Sequence, residues 1–180
     1  KTTQSTNAVA VGGAAGETTQ GEYAVAVGTA AGYLRQSDKA IAVGYTAGMT
    51  DQGIDAIAIG RQAAWDTQGN KAVAVGYEAG NNNQGVAAVA IGTAAGYVNQ
   101  AANSIVINAS GGQVNNTQAS SLVINPIRSA TMTTILGYNA ATGEVTHNAA
   151  IPGYTNTADL KALVAASTDF ADFQTRIAAL

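Results

Sequence analysis

The 180-residue chain has no cysteine, which excludes disulfide staples, thiolate metal sites and cysteine nucleophiles. Charge is scarce too. Asp, Glu, Lys and Arg make up 11% of the residues, well below the roughly one quarter usual in soluble domains. The eight Lys and Arg residues are scattered singly from Lys1 to Arg176, so no basic stripe is present to neutralise phosphates, and no nucleic-acid partner is expected. Attraction to an anionic membrane surface fails on the same count. No apolar run reaches the roughly 18 residues of a bilayer-crossing helix, so membrane insertion is not expected. No secretory leader is visible at Lys1, where the chain enters a repeat directly; the expectation is a piece of a longer protein. Aromatics are only 6% of the chain, too few for an ordinary globular core.

Catalytic groups are equally sparse. His147 is the only histidine, and no nucleophile elbow accompanies it, so a Ser-His-Asp relay cannot be placed. The carboxylate pairs to consider for glycan cleavage are Asp51 with Asp55 and Asp66 with Glu78; solubilising loop charge explains them as well. The run Asn81, Asn82, Asn83 offers oxygen ligands to calcium but brings few carboxylates. The Gly-rich stretches GTAAG and GYTAG lack the lysine of a phosphate loop and recur as turns. The expectation is a protein that is not an enzyme and that carries no cofactor and no metal.

What the sequence does contain is a repeat. AVAVG at Ala8 to Gly12 returns as AVAVG, AIAVG, AIAIG, AVAVG and AVAIG, placing glycine at Gly12, Gly28, Gly44, Gly60, Gly76 and Gly92, sixteen residues apart. Glutamine keeps the same step at Gln4, Gln20, Gln36, Gln52, Gln68, Gln84 and Gln100. An Ala-Gly pair keeps it at Gly16, Gly32, Gly48, Gly80 and Gly96, broken only by Ala64. Two degenerate copies follow, SIVIN at Ser104 to Asn108 and SLVIN at Ser121 to Asn125, the second one residue late.

A strict period this short is one coil of a solenoid, because each unit is too small to bury a core alone and gains one only by stacking. The A-V-A-V stretch reads as a strand and its glycine as a turn; the x-x-Ala-Gly stretch reads as a shorter strand and another turn. The expected fold is all-β, a parallel β-roll of 16-residue coils. Both faces of the A-V-A-V strand are apolar, β-branched on one and alanine on the other. A half-exposed strand would be polar on one face, so the second face calls for a cover, and three chains about an axis provide it economically. Which face meets the axis is open at this point. The glutamine column should stack as an amide ladder. Trp65, in the column Tyr33, Met49, Trp65, Tyr97, and Tyr45 and Tyr77 in a neighbouring column, are the candidate receptor contacts, since exposed rings stack on sugars; edge caps are the alternative.

Three segments follow: the roll over 1–128, degenerate from about 103; a hairpin neck over 129–154; and a helical trimerisation segment over 155–180. In the second, Ile135 to Tyr138 and Glu144 to His147 read as strands about a turn closed by Gly143. In the third, Asn156 or Thr157 caps a helix whose Leu163, Ala166, Phe170, Phe173, Ile177 and Leu180 form a heptad seam, a candidate trimer clamp. Ser167, Thr168 and Asp169 are a second cap, which leaves two short helices as the other reading.

The AVAVG and AIAIG strings over Ala8 to Asn108 resemble the head repeats of trimeric autotransporter adhesins, the YadA-like family. That resemblance implies a left-handed parallel β-roll that trimerises, on a bacterial outer surface. SLVINPIRSA from Ser121 and ILGYNAATGEVTHN from Ile135 are similar to segments in fibre proteins of bacteriophages and large DNA viruses. This second resemblance implies a virion location, in a tail fibre or tailspike-like shaft, with other tail proteins and a host cell-surface receptor, such as a glycan, as partners. Together they favour a homotrimeric attachment fibre shaft; the alternatives are an adhesin head and a glycan depolymerase spike.

Overall fold

The structure is a computed structural model that describes residues 3–127, 135–139, 141–148 and 169–178. The chain divides into two compact units, Lys1–Ile127 and Arg128–Leu180.

The first unit is a parallel β-solenoid of about eight turns. Its strands are β1 (Thr3–Gln4), β2 (Val9–Val11), β3 (Thr19–Gln20), β4 (Val25–Val27), β5 (Leu34–Gln36), β6 (Ile41–Val43), β7 (Thr50–Gln52), β8 (Ile57–Ile59), β9 (Asp66–Gln68), β10 (Val73–Val75), β11 (Asn82–Gln84), β12 (Val89–Gly92), β13 (Ile105–Asn108) and β14 (Leu122–Asn125). They alternate between two sheets: β1-β3-β5-β7-β9-β11, and β2-β4-β6-β8-β10-β12-β13-β14. The sixteen-residue step becomes the register, with Val25 beside Ile41, Ala26 beside Ala42 and Val27 beside Val43. The late SLVIN copy is accommodated by a seventeen-residue step that pairs Ile105 with Leu122.

The second strand of each coil is not where the sequence pattern suggested. It carries the glutamine, as in Leu34–Gln36, while the x-x-Ala-Gly stretch is entirely turn. The reason lies in the backbone. Ala30 and Gly32 have φ of 53° and 54°, and their equivalents repeat this in the neighbouring coils; a left-handed residue at every other position cannot propagate an extended strand.

Size decides which strand face turns into the roll. Ala26, Ala42, Ala58, Ala74 and Ala90 are fully buried and form one core with the turn alanines Ala31, Ala47, Ala63, Ala79 and Ala95. Val25, Val27, Ile41, Val43 and their equivalents alternate with them and point to the outside of the roll. An interior only as thick as stacked methyl groups admits alanine and refuses isoleucine. The glycine column is tied to the same close approach: Gly28 has φ of 129°, and a Cβ there would lie 2.4 Å from the Gly44 carbonyl oxygen.

In the second unit, β15 (Ile135–Asn139) and β16 (Glu144–Asn148) form an antiparallel hairpin with Tyr138 opposite Val145. Gly143 is left-handed at φ 72° and donates to the Asn139 carbonyl at 2.8 Å. The helix α1 runs from Phe170 to Ala178 and is capped by Asp169, whose Oδ1 accepts from the Asp172 amide at 2.9 Å. Phe170, Phe173 and Ile177 of the expected clamp lie on α1; Leu163, Ala166 and Leu180 lie outside the described residues.

Candidate functional site

The roll presents three surfaces of different chemistry, each a set of columns one coil apart. The first is the outer face of the eight-stranded sheet. Every strand of it places two aliphatic side chains there, from Val9 and Val11 to Leu122 and Ile124, all half-buried or exposed. This is an unbroken apolar stripe along the full set of strands.

The second is the outer face of the six-stranded sheet, which is polar. Arg35 donates through Nε and Nη2 to both carboxylate oxygens of Asp51 in the next coil. The hydrogen bonds from Arg35 hold the Asp51 carboxyl below its ordinary range, against a smaller opposing effect of burial. Further along, Asn82 donates to Asp66 at 3.3 Å and Asn83 to Asn99 at 2.9 Å. Asn81 is buried and donates to the Gln62 carbonyl at 3.1 Å. The three asparagines considered as calcium ligands are thus each bonded to a neighbouring coil, and the described residues hold no group of three His, Cys, Asp or Glu able to bind a metal ion. Of the carboxylates considered for glycan cleavage, Asp51 pairs with Arg35, Asp66 accepts from Asn82, and Glu78 accepts from the Tyr77 hydroxyl.

The third surface is a turn row. The amides of Thr46, Gln62, Glu78 and Ala94 donate to the carbonyls of Thr29, Tyr45, Arg61 and Tyr77, which stacks Thr29, Tyr45, Arg61, Tyr77 and Thr93 one coil apart. The Arg61 guanidinium sits 4.1 Å from the centroid of the Tyr77 ring, a cation–π contact, and donates to Gln62 Oε1 at 3.3 Å. The hydrogen bond to Glu78 raises the Tyr77 hydroxyl above its ordinary value. Tyr45 is 56% exposed. Trp65 is also exposed but belongs to another column, and no hydrogen bond or ring contact joins it to either tyrosine. Arg61 stands between Tyr45 and Tyr77 in the same sixteen-residue column and is not among the contacts expected from the sequence.

Inside the coil the glutamines support all three surfaces. Gln36, Gln52, Gln68 and Gln84 each donate from Nε2 to Oε1 of the next glutamine, at 3.0 to 3.2 Å, ending at Gln100. Each also donates across the roll to a strand carbonyl, Gln52 to Ile41 at 2.7 Å for example. The amide occupies the space beside the glycine four residues before it: a Cβ on Gly32 would lie 2.7 Å from Gln36 Oε1. Compared with known proteins, the chain matches no family model, no curated protein and no solved structure.

Proposed function

We propose that the chain is part of the shaft of a homotrimeric attachment fibre of a virion, which holds a receptor-binding region away from the particle and toward a host surface. The observation that carries this reading is the apolar outer face of the eight-stranded sheet. Parallel sheets are ordinarily covered on both faces, and here alanine methyls cover one while valine and isoleucine face outward on every strand. The opposite wall of the roll is polar, so the unit has one side suited to burial and one suited to water. Three copies with their aliphatic faces on a common axis bury that stripe in a closed assembly. The Phe170, Phe173 and Ile177 spacing on α1 is that of an apolar heptad seam, which supports the trimer reading.

The coil repeats themselves favour a second reading, a bacterial trimeric adhesin head; it shares the trimer and differs in its location on the cell surface and in a membrane anchor beyond the head. Neither reading assigns a catalytic step or a cofactor to the chain. The test is the solution mass by light scattering with a circular dichroism spectrum. A β-rich species of three times 17.9 kDa is expected; a stable β-rich monomer overturns the proposal.

A further inference from the structure

The turn row of Tyr45, Arg61 and Tyr77 has the makings of a ligand site that the trimer does not account for. The two arginines of the roll contrast sharply. Arg35 is met in the next coil by Asp51 and held in a two-pronged ion pair. Arg61 has tyrosine on both sides in its column, and no carboxylate pairs with it among the described residues. Glu78, in the adjacent column, accepts from the Tyr77 hydroxyl, which the guanidinium also neighbours. The guanidinium is positioned in advance by the Tyr77 ring and by Gln62 Oε1, with further N–H groups left to donate.

The rest of the row suits a ring-shaped, hydroxylated ligand. Tyr45 is the most exposed aromatic of the coils, and the residue below it in the column is the small, exposed Thr29. A step of one coil, about 4.8 Å, leaves room for a sugar ring to lie against the tyrosine. An acidic oligosaccharide running along the row brings a carboxylate of a neighbouring sugar to the guanidinium one coil further on, in a charge-assisted pair.

We propose that Tyr45, Arg61 and Tyr77 form a binding row for carboxylated oligosaccharides of the hexuronic-acid type, with one sugar ring on Tyr45 and the carboxylate of a neighbouring sugar on Arg61. The proposal rests on the attachment-fibre reading for its purpose, since a fibre that meets glycans can bind them along its side. It names acidic glycan rather than protein because the row offers one cation and separate ring faces, not a continuous apolar patch.

The experiment is titration calorimetry of the full chain with an oligomannuronate hexasaccharide and, in parallel, with a neutral mannan hexasaccharide of the same length. Saturable binding of the acidic probe that weakens with salt is expected. Arg61→Gln should lower affinity for it by about tenfold, the worth of one charge-assisted contact. Tyr45→Ala should weaken both probes. Lys39→Gln and Lys71→Gln should change neither. Absence of saturable binding, an unchanged affinity in Arg61→Gln, or equal losses in the lysine variants overturns the site. Light scattering on the same samples keeps the two proposals apart: a trimer that does not bind removes only the row, and a monomer that binds removes only the fibre.

Discussion

Gln52 donates from Nε2 to Gln68 Oε1 at 3.2 Å while accepting, on its own Oε1, the amide of Gln36 at 3.1 Å. Each of these amides is almost fully buried, and from Gln52 to Gln84 each one both donates to and accepts from its neighbours in the row. Gln52→Ala removes one rung and leaves the Gln36 donor, the Gln68 acceptor and the Ile41 carbonyl each short of a partner. An unmade buried hydrogen bond costs about 1–3 kcal/mol, so a loss of several kcal/mol, read as a lower thermal midpoint by circular dichroism, is expected. Gln84→Ala should behave alike. An unchanged midpoint would mean that the row is ornamental to stability.

Ala64 stands where five other coils have glycine, and it takes the same left-handed turn, with φ of 46°. A left-handed alanine is strained by about 1–2 kcal/mol, partly offset by the chain freedom that a glycine loses on folding. Ala64→Gly should therefore stabilise the roll by up to about 1 kcal/mol. Gly48→Ala should destabilise it by more, because its new Cβ would meet the Gln52 amide carbon at 2.8 Å. Denaturant melts of the two variants should move in opposite directions.

The outer aliphatic face can be tested without touching the core. Ile57→Glu combined with Val73→Glu places charge on neighbouring strands of that face. On the trimer proposed above, the β spectrum should persist and the solution mass should fall from three chains to one. Retention of the larger mass would place the contact between chains elsewhere.

Acid should weaken the Arg35–Asp51 link. The hydrogen bonds from Arg35 hold the folded Asp51 carboxyl below its ordinary value of 3.8, so this contribution is present above pH 3.8 and is lost as pH falls below it toward the folded value. The pair is exposed, with side chains 60% and 39% accessible, so its effect at neutral pH is small. Asp51→Asn should leave the midpoint at pH 7 nearly unchanged and flatten its fall at acid pH; an identical acid limb in the variant would show that other carboxylates govern it.

Much of the architecture was legible because a period leaves little freedom: the column Gly12 to Gly92 and the column Gln20 to Gln100 fix the coil length and the parallel register together. The direction of the A-V-A-V strand was not legible. Val25 and Ala26 are both apolar, so hydropathy alternation carries no sign, and only the width of the interior decides which turns in. The second strand was misplaced because Ala31 and Gly32 look extended when read as small apolar residues, whereas the φ of Ala30 and Gly32 makes them a turn. Arg61 is not among the candidate contacts read from the sequence, because a lone arginine has no signal until its cation–π partner one coil away is considered with it.

The glutamine row also gives the roll a head and a tail. Every rung from Gln36 to Gln84 donates to the next in the same sense, while the buried Oε1 atoms of Gln20 and Gln36 accept nothing. A coil laid down next to Gln100 therefore meets a different edge from one laid down next to Gln20. The stack is therefore polar, and its two ends offer different hydrogen-bonding edges to whatever adjoins them.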